Sequence, residues 1–127
     1  MLKLATIVWG AKDFEPAVRF WQAALDYVPR DPQEGEFGDG TWVMLVPRQG
    51  PGVQLAMQLV SSDAETHQRH HMDLYAESAE AQAAEVERLI GLGATRVDWR
   101  YPEDADYVVL ADPDGNRFCV VDTRHPG

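Results

Sequence analysis

Two pairs of side chains in the second half of this chain combine reactive residue types with a spacing that sets them side by side. His71 and Asp73 are separated by one residue, and so are Arg117 and Cys119; on a β-strand such positions point to the same face. An imidazole beside a carboxylate is a general-base arrangement, because the carboxylate orients the ring and raises its basicity toward neutral pH. The plainer reading is a structural pair that hydrogen-bonds at the rim of a cleft. A thiol beside a guanidinium has the makings of a nucleophile, since a nearby cation lowers a thiol's pKa. Against that, a free cysteine in an apolar run behaves as a small buried hydrophobe. His70 and His71 are adjacent, so on a strand they face opposite ways and cannot chelate one ion together; His70 receives no role.

These pairs need strands, and the flanking sequence predicts them. Asp112-Pro113-Asp114-Gly115 has proline where a β-turn wants φ near −65° and glycine where positive φ is cheap. Phe118 to Val121 then forms a short strand, with Arg117 and Cys119 on one face and Phe118 and Val120 on the other. His70 to Ala76 is a strand, Ser78 caps a helix whose Val86, Leu89 and Ile90 face inward, and Gly91 and Gly93 end it. Ala94 to Trp99 and Tyr107 to Ala111 are two further strands. In the first half, Leu2 to Gly10 reads as a strand and Asp13 as the N-cap of a helix from Phe14 to Leu25, with Pro16 tolerated in its first turn. Ala17, Val18, Trp21, Ala24 and Leu25 make that helix's apolar stripe. After a Pro- and Gly-rich interval from Pro29 to Gly40, Thr41 to Val46 and Val53 to Val60 flank the turn from Pro47 to Gly52.

The two halves share a plan. Thr6-Ile7-Val8 lies over His71-Met72-Asp73 at an offset of 65 residues, and Trp42-Val43-Met44-Leu45 lies over Tyr107-Val108-Val109-Leu110 at the same 65. One offset shared by two separated segments implies an internal duplication of a βαβββ module. The fold class is therefore α+β. One domain over residues 1–127 holds module 1 (about 1–60) and module 2 (about 68–124), joined by a polar linker from Ser61 to Gln68. Two such modules form a curved mixed sheet with helices outside and a concave cup inside, and a concave face is where converging polar groups hold a small molecule. Trp42 and Tyr107 fall at matching positions of the two modules. Either they line the cup and stack a planar ligand, with cation–π attraction if it is positively charged, or they pack between the halves.

Composition narrows the partners. The formal charge of −10, from 21 acidic against 11 basic side chains, repels nucleic acid and anionic membrane surfaces. A single cysteine makes no intrachain disulfide, so nothing depends on an oxidising compartment. With neither a basic-plus-apolar leader nor a long apolar run, the expected location is the cytoplasm. No P-loop, dinucleotide fingerprint, nucleophile elbow or paired-cysteine motif occurs.

The duplicated plan resembles the vicinal oxygen chelate superfamily, which includes glyoxalase I, bleomycin-resistance proteins and extradiol dioxygenases, and most nearly its glyoxalase-like domains. The stretches that carry the likeness are "KDFEPAVRFWQAAL", "HHMDLYAE", "LGAT" and "LADPDGNRFCVVD". The resemblance implies a divalent ion held by side chains from the first and last strand of each module. Carried over position by position, it puts Thr6 where a histidine is expected, then Gln58 or, earlier on the same face, Ala56 or Gln54. His71 matches, and Cys119 stands where relatives show glutamate. Neutral oxygens are weak ligands for a catalytic divalent ion and zinc wants at least three protein ligands, so the set is degenerate and neither a metal nor another cofactor is expected. The function so implied is a small-molecule-binding protein, of drug-binding or resistance type, that pairs as a homodimer. Its ligand would touch Thr6, Trp42, Gln54, Gln58, Tyr107 and Cys119. The alternative is a lyase or isomerase with His71 as general base, polarised by Asp73.

Overall fold

The turn "DPDG" sets the frame of the second half. In the computed structural model, which describes residues 1–126, Gly115 takes φ +95° and its N–H donates to the Asp112 carbonyl at 2.9 Å. The buried Asp112 carboxylate accepts from the backbone N–H groups of Asp114 and Asn116 at 3.0 and 2.9 Å. A turn closed this tightly leaves no slack in the register of the strands it joins.

The chain divides into two compact units, the first ending at Asp63 and the second beginning at Ala64. Module 1 runs β1 (Thr6–Ala11), α1 (Phe14–Leu25), β2 (Tyr27–Pro29), a 3₁₀ turn at Pro32–Glu34, β3 (Trp42–Pro47) and β4 (Gln54–Leu59). Module 2 runs β5 (Met72–Ala76), α2 (Ala79–Leu92), β6 (Thr95–Arg96), β7 (Tyr107–Ala111) and β8 (Arg117–Asp122). Each module is βαβββ, and each builds its own open, mixed, four-stranded sheet, in the orders β1-β4-β3-β2 and β5-β8-β7-β6. In both, the first and last strands of the module run parallel and the remaining neighbours antiparallel. The α+β class and the duplication thus take the form that the sequence implies.

One face of each sheet carries the core. In module 1, α1 packs on β2 and β4, and Trp21 meets Trp9 and Phe20 edge-on at ring separations of 5.6 and 5.0 Å, a favoured geometry for aromatic pairs. Phe14 and Phe20 join the buried stripe beside Val18 and Trp21, while Leu25 is only half-buried. In module 2, α2 packs on β5 and β8, bringing Val86 and Leu89 to the side of Phe118 and Val120, all four almost wholly buried. Gln82 on α2 ties the helix to its sheet by donating to the Asp106 and Val120 carbonyls at 3.0 and 2.9 Å.

Several expected boundaries shift, each for lack or gain of a ladder partner. β1 starts at Thr6 rather than Leu2, because β4 supplies partners only from Gln54, opposite Thr6. β5 starts at Met72, leaving His70 and His71 just ahead of the strand. The expected strand from Ala94 to Trp99 shrinks to Thr95–Arg96, the two residues paired with β7. β2 has no counterpart in the sequence pattern: Tyr27–Pro29 pairs with β3 at the edge of what reads as a Pro- and Gly-rich interval. Its proline sits on an edge strand, where a missing N–H is tolerated. Ser78 caps α2 as predicted, its Oγ accepting from the Ala81 N–H at 3.0 Å. Gly91 lies inside that helix, and Gly93 alone stands at its C-cap, with φ +124°.

Candidate functional site

Strand parity leaves module 2 with a second face, opposite α2, and the reactive residues lie there. β5 and β8 run parallel with Asp73 directly opposite Cys119 and Tyr75 opposite Val121. β7 adds Tyr107 opposite Val121 and Val109 opposite Cys119. Paired residues on neighbouring strands point the same way, so this register brings Asp73, Cys119, Tyr107 and Val109 together although they are remote in sequence. His71 completes the group from the segment entering β5: its Nε2 lies 3.1 Å from Asp73 Oδ1. Ligand atoms of His71, Asp73 and Cys119 all fall within 4.8 Å of one another.

These groups line a cavity of about 470 Å³, walled by Trp99, Tyr107, Val109, Arg117 and Val121, with Gln68 and Asp106 also on its lining. Arg117 spreads its guanidinium over the Trp99 ring, 5.8 Å from the centroid. The Arg117 N–H donates to the Gln68 side-chain oxygen, which fixes the entry to β8. Tyr107 leans on Tyr101 at 5.6 Å, and Tyr101 is held by its hydroxyl, which accepts from the Val109 N–H at 2.8 Å. The aromatic wall is therefore anchored to the sheet.

The surroundings of Cys119 favour its protonated form. Burial pushes its thiol from 9.0 up to about 11, and the neighbouring Asp73 adds to the rise by its charge and by accepting the thiol's hydrogen bond. Of the two readings of Cys119, the surroundings favour the small buried hydrophobe over a thiolate activated by Arg117: the guanidinium lies over Trp99 while a carboxylate sits beside the sulfur, and without another partner the thiol stays protonated. The His71–Asp73 pair is present as the spacing implies. Both side chains are about half exposed, 49% and 47%, so the imidazole is reachable from the cavity.

Module 1 shows what happened to the other positions. Val8 lies opposite Ala56 and Thr6 opposite Gln54 on the parallel pair β1–β4, and Trp42 lies opposite Gln58 on β3. By this register Ala56, not Gln58, is the counterpart of Cys119, and Gln58 is the counterpart of Val121. On the matching face, β1 and β4 of module 1 thus carry Thr6, Val8, Gln54, Ala56 and Gln58, with no imidazole, carboxylate or thiol among them. Gln54 accepts from Arg30 at 3.3 Å, and Trp42 is partly exposed where its strand begins. Among the residues that the sequence left without a role, Trp99, Gln68 and Asp106 belong to the cavity wall. Gln68 reads as polar linker and Trp99 as strand, and nothing local marks either as lining a cleft.

Comparison with known proteins agrees with this architecture. The sequence matches the model of a family described as a glyoxalase-like domain over residues 6–121. A glyoxalase-related enzyme from Fulvimarina pelagi superposes with a TM-score of 0.68 at 20% identity, covering 97% of this chain and 89% of that one. A glyoxalase/bleomycin resistance protein from Albidiferax ferrireducens gives 0.62 at 18% identity, with 93% and 96% covered. The fosfomycin resistance protein FosX from Listeria monocytogenes gives 0.69 at 17% identity, with 96% and 91% covered. No curated protein matches the sequence.

Proposed function

The chain belongs to the glyoxalase-like domain family of the vicinal oxygen chelate superfamily, and from that premise we propose that it is a single-domain small-molecule-binding protein of drug-binding or resistance type whose ligand occupies the module 2 cavity. The observation that carries the reading is the cavity itself. Its roughly 470 Å³ falls in the range of about 300–1,000 Å³ for small-molecule pockets. It joins an anchored aromatic wall, Trp99 and Tyr107, to a few convergent polar groups. Asp73 and Asp106 favour a cationic substituent near them, and Arg117 on Trp99 favours an anionic one, so the occupant is a small planar molecule bearing polar groups. Structural neighbours described as fosfomycin resistance and glyoxalase/bleomycin resistance proteins support the resistance-type reading.

Trp99 makes the test direct. Titrating the protein with a panel of planar cationic and phosphonate-bearing molecules, with tryptophan fluorescence and thermal stability as readouts, should find at least one saturable binder. A ligand at 100 times its Kd adds about 2.7 kcal/mol of stability. Its signal should vanish in Trp99→Phe, and its affinity should fall in Tyr107→Ala and Arg117→Ala. A panel that gives neither a saturable change nor stabilisation retires the proposal.

A second reading rests on one distance. With His71 Nε2–H donating to Asp73 Oδ1 at 3.1 Å, Nδ1 is the basic nitrogen, and a lyase or isomerase would use it to take a proton from the bound substrate. His71→Ala separates the two: retained binding with lost turnover supports the enzyme, while weakened binding with no turnover to lose supports the binder. The same proposal makes the protein a cytoplasmic homodimer whose partner is a small molecule, not nucleic acid or membrane. The net charge of −10 supports that exclusion, among the described residues no helix is long and apolar enough to cross a membrane, and sedimentation equilibrium tests the dimer.

A further inference from the structure

Two residues that line the module 2 cavity, Arg117 and Gln68, hold hydrogen-bond donors in reserve. The Gln68 amide has a fixed orientation: its oxygen accepts from the Arg117 N–H, and only the oxygen of an amide can accept. Its Nε2 group is therefore the end left over, and among the described residues it donates to no protein acceptor. Arg117 is likewise uncommitted. Arg19, Arg48, Arg88 and Arg96 each lie against a carboxylate, whereas among the described residues Arg117 pairs with none. Its guanidinium lies over Trp99 at 5.8 Å, a contact that holds the cation in place without spending its N–H groups on an oxygen. In a chain with 21 acidic against 11 basic side chains, an arginine that lines a cavity and has no carboxylate of its own marks a place for an anion from outside. We propose that Arg117 and Gln68 form a carboxylate-binding corner, and that the ligand of this cavity is an aromatic carboxylic acid held there by its carboxylate.

The rest of the cavity fits that ligand. A planar guanidinium fork suits a planar carboxylate, which it can meet with two parallel N–H bonds, and the Gln68 amide adds a donor beside it. An aromatic acid is flat through its ring and its carboxylate, so from the corner its ring extends over Val109 and Val121 toward Tyr107, which Tyr101 braces at 5.6 Å. The lining carboxylates do not oppose it. Asp73 is matched by His71 Nε2 at 3.1 Å and accepts the hydrogen bond of the Cys119 thiol. Asp106 lies at the other end: its carbonyl accepts from the N–H of Asp122, the last residue of β8, of which Arg117 is the first. Those two ends are roughly 17 Å apart at about 3.4 Å per residue, well beyond the Debye length of about 8 Å at physiological salt. The inference rests on the reading that a small molecule occupies this cavity, and it adds the charge of that molecule and the place where the charge sits.

The test is calorimetric titration of the full chain with three molecules of one shape: 2-naphthoate, its neutral carboxamide and 2-naphthylmethylammonium. Naphthoate should bind most tightly, by roughly 10–100-fold over the carboxamide, the factor that a hydrogen bond to a charged group is worth. Arg117→Gln should remove that preference. Gln68→Glu keeps an oxygen for the Arg117 N–H but replaces the amide donors with a negative charge, so it should weaken naphthoate and not the carboxamide; a merely structural role for Gln68 would leave the ratio of the two unchanged. Arg88→Gln removes the same charge from α2, on the opposite face of the sheet, and should leave the preference intact. Equal affinities for naphthoate and carboxamide, a preference that survives Arg117→Gln, or tightest binding of the ammonium compound overturns the corner while leaving the binding reading in place. If none of the three binds, the corner falls as well, and the panel of cationic and phosphonate-bearing molecules then decides the binding reading by itself.

Discussion

The two modules agree on the face turned to their helices and disagree on the other. On the helix side, Leu55 in module 1 and Phe118 in module 2 lie opposite Ile7 and Met72 respectively, and both are buried to within 2% of fully. On the far side, Thr6, Val8 and Ala56 answer to His71, Asp73 and Cys119. Module 1 thus has a hydroxyl and two hydrocarbon groups at the positions where module 2 has an imidazole, a carboxylate and a thiol. A duplicated fold constrains the core face because burial and packing hold each module together. The opposite face is free of that constraint, and there the imidazole, carboxylate and thiol of His71, Asp73 and Cys119 stand in module 2.

The largest effect should come where the modules are alike. Phe118→Ala should cost about 3–5 kcal/mol and Leu55→Ala about 2–5 kcal/mol, by lost burial plus the cavity left behind; denaturant unfolding measures both. A near-zero cost in one module would break the comparison.

Next comes the thiol. Cys119 titrates higher in the folded state, at about 11, than its ordinary 9.0, so between those values the unfolded chain holds fewer protons than the folded one. The stability that this shift contributes should therefore be fully present below pH 9, decline as pH rises, and be gone once pH passes 11. Cys119→Ser should flatten that window, as pH-dependent unfolding would show. In the metal-free protein, alkylation of Cys119 should stay slow until the pH approaches 11. Converting the far face of module 2 to that of module 1 with Asp73→Val should move the alkylation midpoint down, because the carboxylate's contribution is gone while burial remains.

The smallest effects concern the helix starts. Ser78→Ala should cost about 1 kcal/mol, because its Oγ satisfies a helix N–H that is otherwise orphaned. Asp13, at the matching cap of α1, makes no side-chain capping bond, so Asp13→Ala should cost less than Ser78→Ala. Equal losses would erase this difference between the modules.

Much of this was legible before folding. The duplication showed in the 65-residue offset, and the strand register keeps that offset for β1 with β5 and for β3 with β7, whereas β4 and β8 stand 63 apart through their pairing partners, Leu55 and Phe118. The shorter turn in module 2 accounts for the slip. Because of that slip the 65-residue offset points to Gln54 as the counterpart of Cys119, whereas the register makes it Ala56. Edge strand β2 is not legible in the sequence, because three residues ending in a proline carry no periodic signal and the strand depends on β3 lying beside it.

What the sequence determined by itself is local and periodic: the "DPDG" turn, the helices with their caps and stripes, and the parity that sets Arg117 and Cys119 against Phe118 and Val120. These follow from dihedral preferences and side-chain alternation over a few residues. Tertiary structure alone decided that Asp73 lies opposite Cys119, so that the thiol is held protonated rather than activated, and that Trp99 and Gln68 close the cavity. Those contacts join segments far apart in the chain. They depend on which strand pairs with which, and in what register, and no local preference encodes that choice.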